Sequence, residues 1–133
     1  MAASKYDFSI EQGTSFRLAI TYKDKDKNPI DITNYCARLT WTTNAGNTQV
    51  FTTENTDPSL YSFTINGPTG QIILMLPASI TNSLDFTVAK YDLEIRSNTD
   101  LYPGGGKEVA RLLYGAVNLI KRNSKLSTGV NCS

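Results

Sequence analysis

Apolar residues recur at every second position along most of this chain, and that period constrains the fold more than any other feature. Tyr6, Phe8 and Ile10 alternate with Asp7 and Ser9; Phe16, Leu18, Ile20 and Tyr22 alternate with Arg17, Ala19 and Thr21. Successive side chains on a strand point to opposite faces, so this spacing gives each segment one apolar and one polar side. Ile30 and Ile32 lead into Tyr35, Ala37, Leu39 and Trp41 on one face, with Cys36, Arg38, Thr40 and Thr42 on the other. Further strands are expected from Val50 to Thr53, through Tyr61, Phe63 and Ile65, from Gln71 to Leu76, from Thr87 to Arg96 and from about Glu108 to Ile120. Between Thr87 and Arg96, Ala89, Tyr91, Leu93 and Ile95 face inward, and Lys90, Asp92, Glu94 and Arg96 form a charged, solvated side.

Turn residues separate these segments. Gly13, the polar run Lys23 to Pro29, Asn44 to Asn47 and the Asn66-Gly67 pair each mark a chain reversal. Asn98 to Lys107, which contains Pro103-Gly104-Gly105-Gly106, reads as a loop. Pro77 to Leu84 has room for one short helical turn entered through proline. The result is an all-β fold: a single small antiparallel β-sandwich or partly closed barrel of about eight strands. It is expected to span residues 1–122, with a loose polar tail over 123–133.

Composition agrees with one such domain. The 133 residues are 40% hydrophobic and 19% charged, against typical values of roughly 45–50% and 25%. Thr, Ser and Asn fill the difference, which suits strands with polar outer faces and does not suit a coiled coil. A net charge of +1 sets the chain apart from disordered acidic or basic segments.

Several chemistries fall away at the level of residue types. The chain has no His, which removes Ser-His-Asp triads, His-bound zinc and the usual pH switch. The longest apolar run, Ile72 to Pro77, is far short of the roughly 20 residues of a membrane helix. Met1 to Asp7 carry no apolar core of a secretory signal. Cys36 and Cys132 are expected as free thiols, the first within a strand and the second in the tail.

Remaining motifs reduce to structure. Asp24, Asp26 and Asn28 have the opening spacing of a calcium loop, but Pro29 and Tyr35 stand where that loop needs Gly and Glu. Pro103 to Lys107 lacks the first Gly and the Ser or Thr of a phosphate loop. Asn131-Cys132-Ser133 matches a glycosylation sequon at the last three residues and is discounted. Lys121, Arg122 and Lys125 form a basic cluster without a nucleic-acid-binding module around it. The acids are scattered, so no catalytic pair, cofactor site or metal site is expected. Tyr6, Tyr22, Tyr61, Tyr91 and Trp41 fall on inward faces, which leaves Tyr102 and Tyr114 as exposed aromatics for sugar stacking.

The last strand is unusual. At about 13 residues it is over twice the usual length of roughly 5–6, so it either bends between sheets or runs past the domain. One face carries Val109, Leu113, Gly115, Val117 and Leu119; the other carries Leu112, Tyr114, Ala116 and Ile120, broken by Asn118. In Gln71 to Leu76, Ile72, Leu74 and Leu76 read as core while Ile73 and Met75 point away. A half-buried strand should be polar on its second face. Either the central part of a small barrel covers these second faces or they form a partner-binding surface, and on the latter reading Ile73, Met75, Leu112, Tyr114 and Ile120 are the candidate residues.

Five strings, taken in order, carry a resemblance. They are Tyr6 to Leu18 (YDFSIEQGTSFRL), Pro29 to Leu39 (PIDITNYCARL), Gly70 to Leu74 (GQIIL), Tyr91 to Ile95 (YDLEI) and Arg111 to Val117 (RLLYGAV). Over roughly residues 6–120 the chain resembles small β-sandwich proteins of tailed bacteriophages, which serve as tail or baseplate components and as N-terminal modules of baseplate upper or fibre-attachment proteins. The resemblance implies a non-enzymatic virion structural protein, assembled in the bacterial host cytoplasm and present in several copies or as a homo-oligomer. Its partners would be other tail or baseplate proteins, with no nucleic acid, membrane, cofactor or small-molecule substrate. Alternatives are a capsid decoration or neck protein and a carbohydrate-binding module for host attachment. That family's last strand tends to be polar where this chain has Tyr114, Ala116 and Asn118, which implies a surface fitted to its own neighbours.

Overall fold

The alternating segments form strands, and their apolar faces meet between two sheets. The computed structural model describes residues 3–57 and 59–121. The strands are β1 (Ser4–Lys5), β2 (Phe8–Glu11), β3 (Phe16–Thr21), β4 (Tyr35–Thr43), β5 (Thr48–Thr52), β6 (Ser62–Asn66), β7 (Gln71–Leu76), β8 (Val88–Tyr102) and β9 (Gly106–Ile120). A short α-helix, α1 (Ala78–Ser83), follows Pro77 as expected. The larger sheet has the order β1-β9-β8-β4-β5, with β2 also on β9; the smaller has the order β3-β7-β6. The two sheets stack as a sandwich, and the barrel alternative falls away because they do not join around a closed circuit. The tail 123–133, Cys132, the sequon, Arg122 and Lys125 lie outside the described residues; Lys121 pairs with Asp85.

The inward sets behave as their spacing predicts. Ala37, Leu39 and Trp41, Ile72, Leu74 and Leu76, and Ala89, Tyr91, Leu93 and Ile95 are all buried. Aromatic rings close the sandwich along both sides. On one side Phe8 of the larger sheet stacks on Phe16 of the smaller at 5.4 Å. On the other, Phe51 meets Tyr61 edge to face at 5.0 Å, and Trp41 meets Phe51 at the same distance. Such edge contacts suit the ring quadrupoles and add to the area buried. Buried polar groups are satisfied in place: the Thr81 hydroxyl accepts the Gly13 N–H and donates to the Thr14 carbonyl, pinning the β2–β3 turn to α1.

Three expectations need correction. The first strand, read as continuous from Tyr6, is split into β1 and β2, and both run parallel to β9 rather than antiparallel. The register does not slip across the gap. Instead the Asp7 carboxylate accepts the Ala116 N–H at 2.8 Å, and the Tyr6 carbonyl turns to accept the Tyr91 phenol at 2.5 Å. That turn leaves the Tyr6 side chain exposed, not inward. Tyr22 and Tyr61 are only half-buried. Finally, Asn98 to Lys107 is not a loop but the outer half of the β8–β9 hairpin, with pairing continued to Tyr102 and Gly106. Only the tip turns freely, where Gly104 and Gly105 take left-handed backbone at φ 89° and 92°. The Asp24 carboxylate serves its own turn by accepting the Asp26 and Asn28 N–H groups.

The Tyr91 phenol gives the fold an alkaline limit. Burial, and after it the nearby Tyr6 and Asp7, push its pKa above the ordinary value of 10.0. An unfolded chain releases this proton near pH 10, while the folded chain keeps it. Above about pH 10 the unfolded state thus binds fewer protons, and stability falls as pH rises; below it this contribution is fully present. Urea midpoints measured between about pH 8 and pH 11 are expected to fall more steeply for the natural chain than for Tyr91→Phe. Equal slopes would show that Tyr91 is not the responsible group.

Candidate functional site

The candidate residues sit on two opposite outer faces. On the smaller sheet, β7 runs between β3 and β6, and pairing sets Arg17, Met75 and Ser62 in one row and Ala19, Ile73 and Thr64 in the next. Met75 is 47% exposed and Ile73 half-buried, so a narrow apolar strip lies between polar neighbours at Met75 and between Ala19 and Thr64 at Ile73. On the larger sheet, Tyr114 sits beside Asp92, and Ala116 beside Lys90. Tyr114 is 40% and Ile120 52% exposed. The structure therefore brings Tyr114 and Ile120 onto one strand face but holds Ile73 and Met75 on the far side of the sandwich.

Leu112 does not belong to either outer face. A register shift between Leu93 and Glu94 leaves it as the extra residue of a β-bulge on β9, between Arg111 and Leu113. A bulge of this kind changes which side chains point inward. Leu112 turns into the core at 9% exposure, and Val109, placed inward by strict alternation, turns out at 56%. The outward set on β9 becomes Val109, Arg111, Tyr114, Ala116, Asn118 and Ile120.

Charge dominates the rest of that face. Arg38 pairs with Glu94, and Arg111 with Asp92 at 3.2 Å. Both pairs are open to water and contribute little to stability. They tile β4, β8 and β9 so that opposite charges lie next to each other, as the outward Lys90, Asp92, Glu94 and Arg96 foreshadowed. A shallow groove of about 540 Å³ runs past Cys36, Arg38, Thr52, Glu94, Arg96 and Val109. Cys36 lies in β4 as expected, half-buried, with its thiol directed to the Arg96 carbonyl. The two carboxyl groups held below their ordinary pKa, Asp31 and Asp57, owe this to hydrogen bonds from Thr33 and Ser59 within their own exposed turns.

Beyond the sandwich the β8–β9 ribbon projects alone. Its last partner on one side is β4, which ends opposite Ser97. On the other side β1 reaches only to Leu113. The base is fastened by Ser97, whose buried hydroxyl donates to the Thr99 carbonyl and accepts the Glu108 N–H. Outward from there Leu101 is exposed, and Val109, paired with Arg96 just inside the base, is exposed as well; the Tyr102 side chain lies outside the described residues. Sequence reasoning missed Leu101, Val109, Tyr6 and Val50 as exposed apolar groups. For Val109 the missing signal was the bulge; for Leu101 it was the continuation of pairing through a glycine-rich segment.

Among the described residues no helix is long and apolar enough to cross a membrane. Comparison with models of known protein families gives no match, and comparison with curated proteins gives none.

Proposed function

We propose that this chain is a non-enzymatic structural component of a tailed-phage virion. It acts in the tail or baseplate as an adaptor held between neighbouring proteins. The observation that carries the reading is the projecting β8–β9 ribbon. A two-stranded hairpin with no third strand or core behind it is marginal in water, and this one carries exposed Leu101, with exposed Val109 at its base. A neighbour that packs against the ribbon supplies the missing layer. Tyr114 and Ile120 extend the same strand toward the sandwich, and Met75 with Ile73 offers a smaller contact on the opposite face. Two opposed faces and one arm fit a part that is wedged between others. Several weak contacts of this kind hold position when copies are fixed by symmetry.

The test is incorporation. Tyr114→Lys and Val109→Lys change exposed side chains only, so both variants are expected to unfold at the natural midpoint. In particles assembled with either variant, the amount of this protein is expected to fall severalfold. Particles with a full complement of both variants, or particles that never contain the natural chain, would refute the reading.

A further inference from the structure

The two sides of the sandwich differ in how their strand edges are protected. One side is formed by β1, β2 and β3, and carries Lys5, Asp7, Glu11 and Arg17. The other is formed by β5 and β6, whose sequences, Thr-Gln-Val-Phe-Thr and Ser-Phe-Thr-Ile-Asn, hold no charge and no proline. Charged residues and proline are the usual guards against pairing of open edges. Neither strand of this side has them, and Glu54, Asp57 and Pro58 are confined to the connection between the two.

The phase of the β4–β5 ladder shows which backbone groups are open. The Thr43 N–H donates to the Asn47 carbonyl, and the Thr53 N–H to the Ala37 carbonyl. Inter-strand bonds alternate along an antiparallel pair. Gln49 and Phe51 therefore bond to β4, while Thr48, Val50 and Thr52 point their N–H and C=O groups away from it. Thr52 is closed off: its N–H donates to the Tyr61 phenol at 3.1 Å, and its carbonyl accepts the Asn55 N–H at 3.3 Å. Thr48 and Val50 have no such partners among the described residues, and Val50 is exposed.

We propose that β5 is a strand-addition site and that its occupant is β5 of a second copy, paired antiparallel about a two-fold axis through Gln49. Such a contact deepens the assembly reading above and rests on it for its biological setting, though the pairing itself does not. The register follows from the open groups. Thr48 must face the partner's Val50, and Val50 the partner's Thr48, because only this alignment matches every open N–H to an open C=O. Moving the axis by one residue would bring the closed Thr52 into a bonded pair or leave Val50 unmatched. No like charges meet along the seam, and Val50 packs beside a threonine methyl on the outer face. The larger sheets of both copies then run on as one. A second copy fits better than a foreign peptide because the edge is complementary to itself in both hydrogen-bond pattern and charge.

Gln49 gives a specific probe. Opposite its own copy it occupies a non-hydrogen-bonded position, where Cα atoms lie about 4.5 Å apart, within disulfide range of about 4.4–6.8 Å. In a chain with both natural cysteines replaced by serine, Gln49→Cys is expected to cross-link to a dimer under mild oxidation, and Asn47→Cys to do so far less. Sedimentation of the natural chain is expected to show mass rising from 14.6 kDa toward twice that with concentration. Val50→Lys should weaken this about tenfold, like any edge lysine, and Val50→Pro should do the same because the lost N–H faces outward. Trp41 emission, checked in each variant, confirms that the fold is kept. A natural chain that stays monomeric, or association that ignores both Val50 variants in folded protein, would overturn the proposal. A dimer with these properties in a protein absent from particles would sink the assembly reading alone.

Discussion

Gly115→Val is expected to lower stability by about 3–5 kcal/mol, mostly through the close approach of two backbones. A Cβ at this position would stand 2.5 Å from the Tyr6 carbonyl oxygen and 2.6 Å from Asp7 Oδ1. Neither is the end of a long side chain that can swing aside. The Tyr6 oxygen is backbone, and it is fixed by the Tyr91 phenol at 2.5 Å. Asp7 Oδ1 is fixed by the Ala116 N–H at 2.8 Å. To admit the new side chain, β1 and the Tyr6–Asp7 link must lift from β9. Overpacking alone costs about 1–3 kcal/mol, and each of the two hydrogen bonds adds about 1 kcal/mol. For a domain of this size the melting temperature should drop by roughly 10–20 °C. Gly46→Ala is the control: that glycine has positive φ but nothing within 4 Å of its added Cβ. It should cost about 1 kcal/mol of backbone strain and no more. Thermal unfolding of the two variants separates crowding from strain, and equal losses would remove the close-approach account.

The same place marks the limit of what the sequence discloses. Period-two spacing was enough to find the sandwich and the inward rows on β4, β7 and β8, because an alternating pattern has one register that buries all its apolar residues. It failed wherever the chain leaves strict alternation. Tyr6 looks like a member of the inward row with Phe8 and Ile10, yet the Tyr91 phenol needs a carbonyl acceptor, and the chain turns at Tyr6 to supply one. Leu112 and Leu113 are adjacent and cannot both face inward in a regular strand; the bulge lets Leu112 into the core and throws Val109 out. No local signal announces a bulge, since it is fixed by pairing with Leu93 and Glu94 some 20 residues away. The arm was hidden differently. Its residues, Asn98 to Lys107, have loop chemistry, and they become strands only because the hairpin below them sets their register. Of the candidate surface, Tyr114, Ile120 and Met75 were legible as apolar residues on polar rows. That they occupy two opposed faces was not, because strand order is a property of the tertiary fold.

Phe51→Ala is expected to be the most costly single truncation in the core, at about 4–5 kcal/mol. Phe51 is wholly buried, and its ring is gripped edge to face by Trp41 at 5.0 Å and by Tyr61 at 5.0 Å. Removing it leaves a cavity bounded by two rings that cannot both collapse, since Tyr61 is held by its phenol at Thr52 and by the Asn55 amide at its carbonyl. The pair with Tyr61 is also the aromatic contact that joins the sheets on the uncharged side. Its loss should therefore loosen β5 and β6 together, rather than β5 alone. Trp41 is the only tryptophan, and its emission reports the event directly: a red shift in the folded baseline and an earlier urea midpoint. Phe51→Leu keeps most of the volume and should cost under about half as much. Tyr61→Phe keeps the ring contact but takes away the acceptor for the Thr52 N–H, so about 1 kcal/mol is expected. If Phe51→Ala and Tyr61→Ala together cost the sum of their separate losses, the two rings do not act as a unit. A combined loss smaller than that sum, by about 0.5–1.5 kcal/mol, is the coupling expected of an aromatic pair.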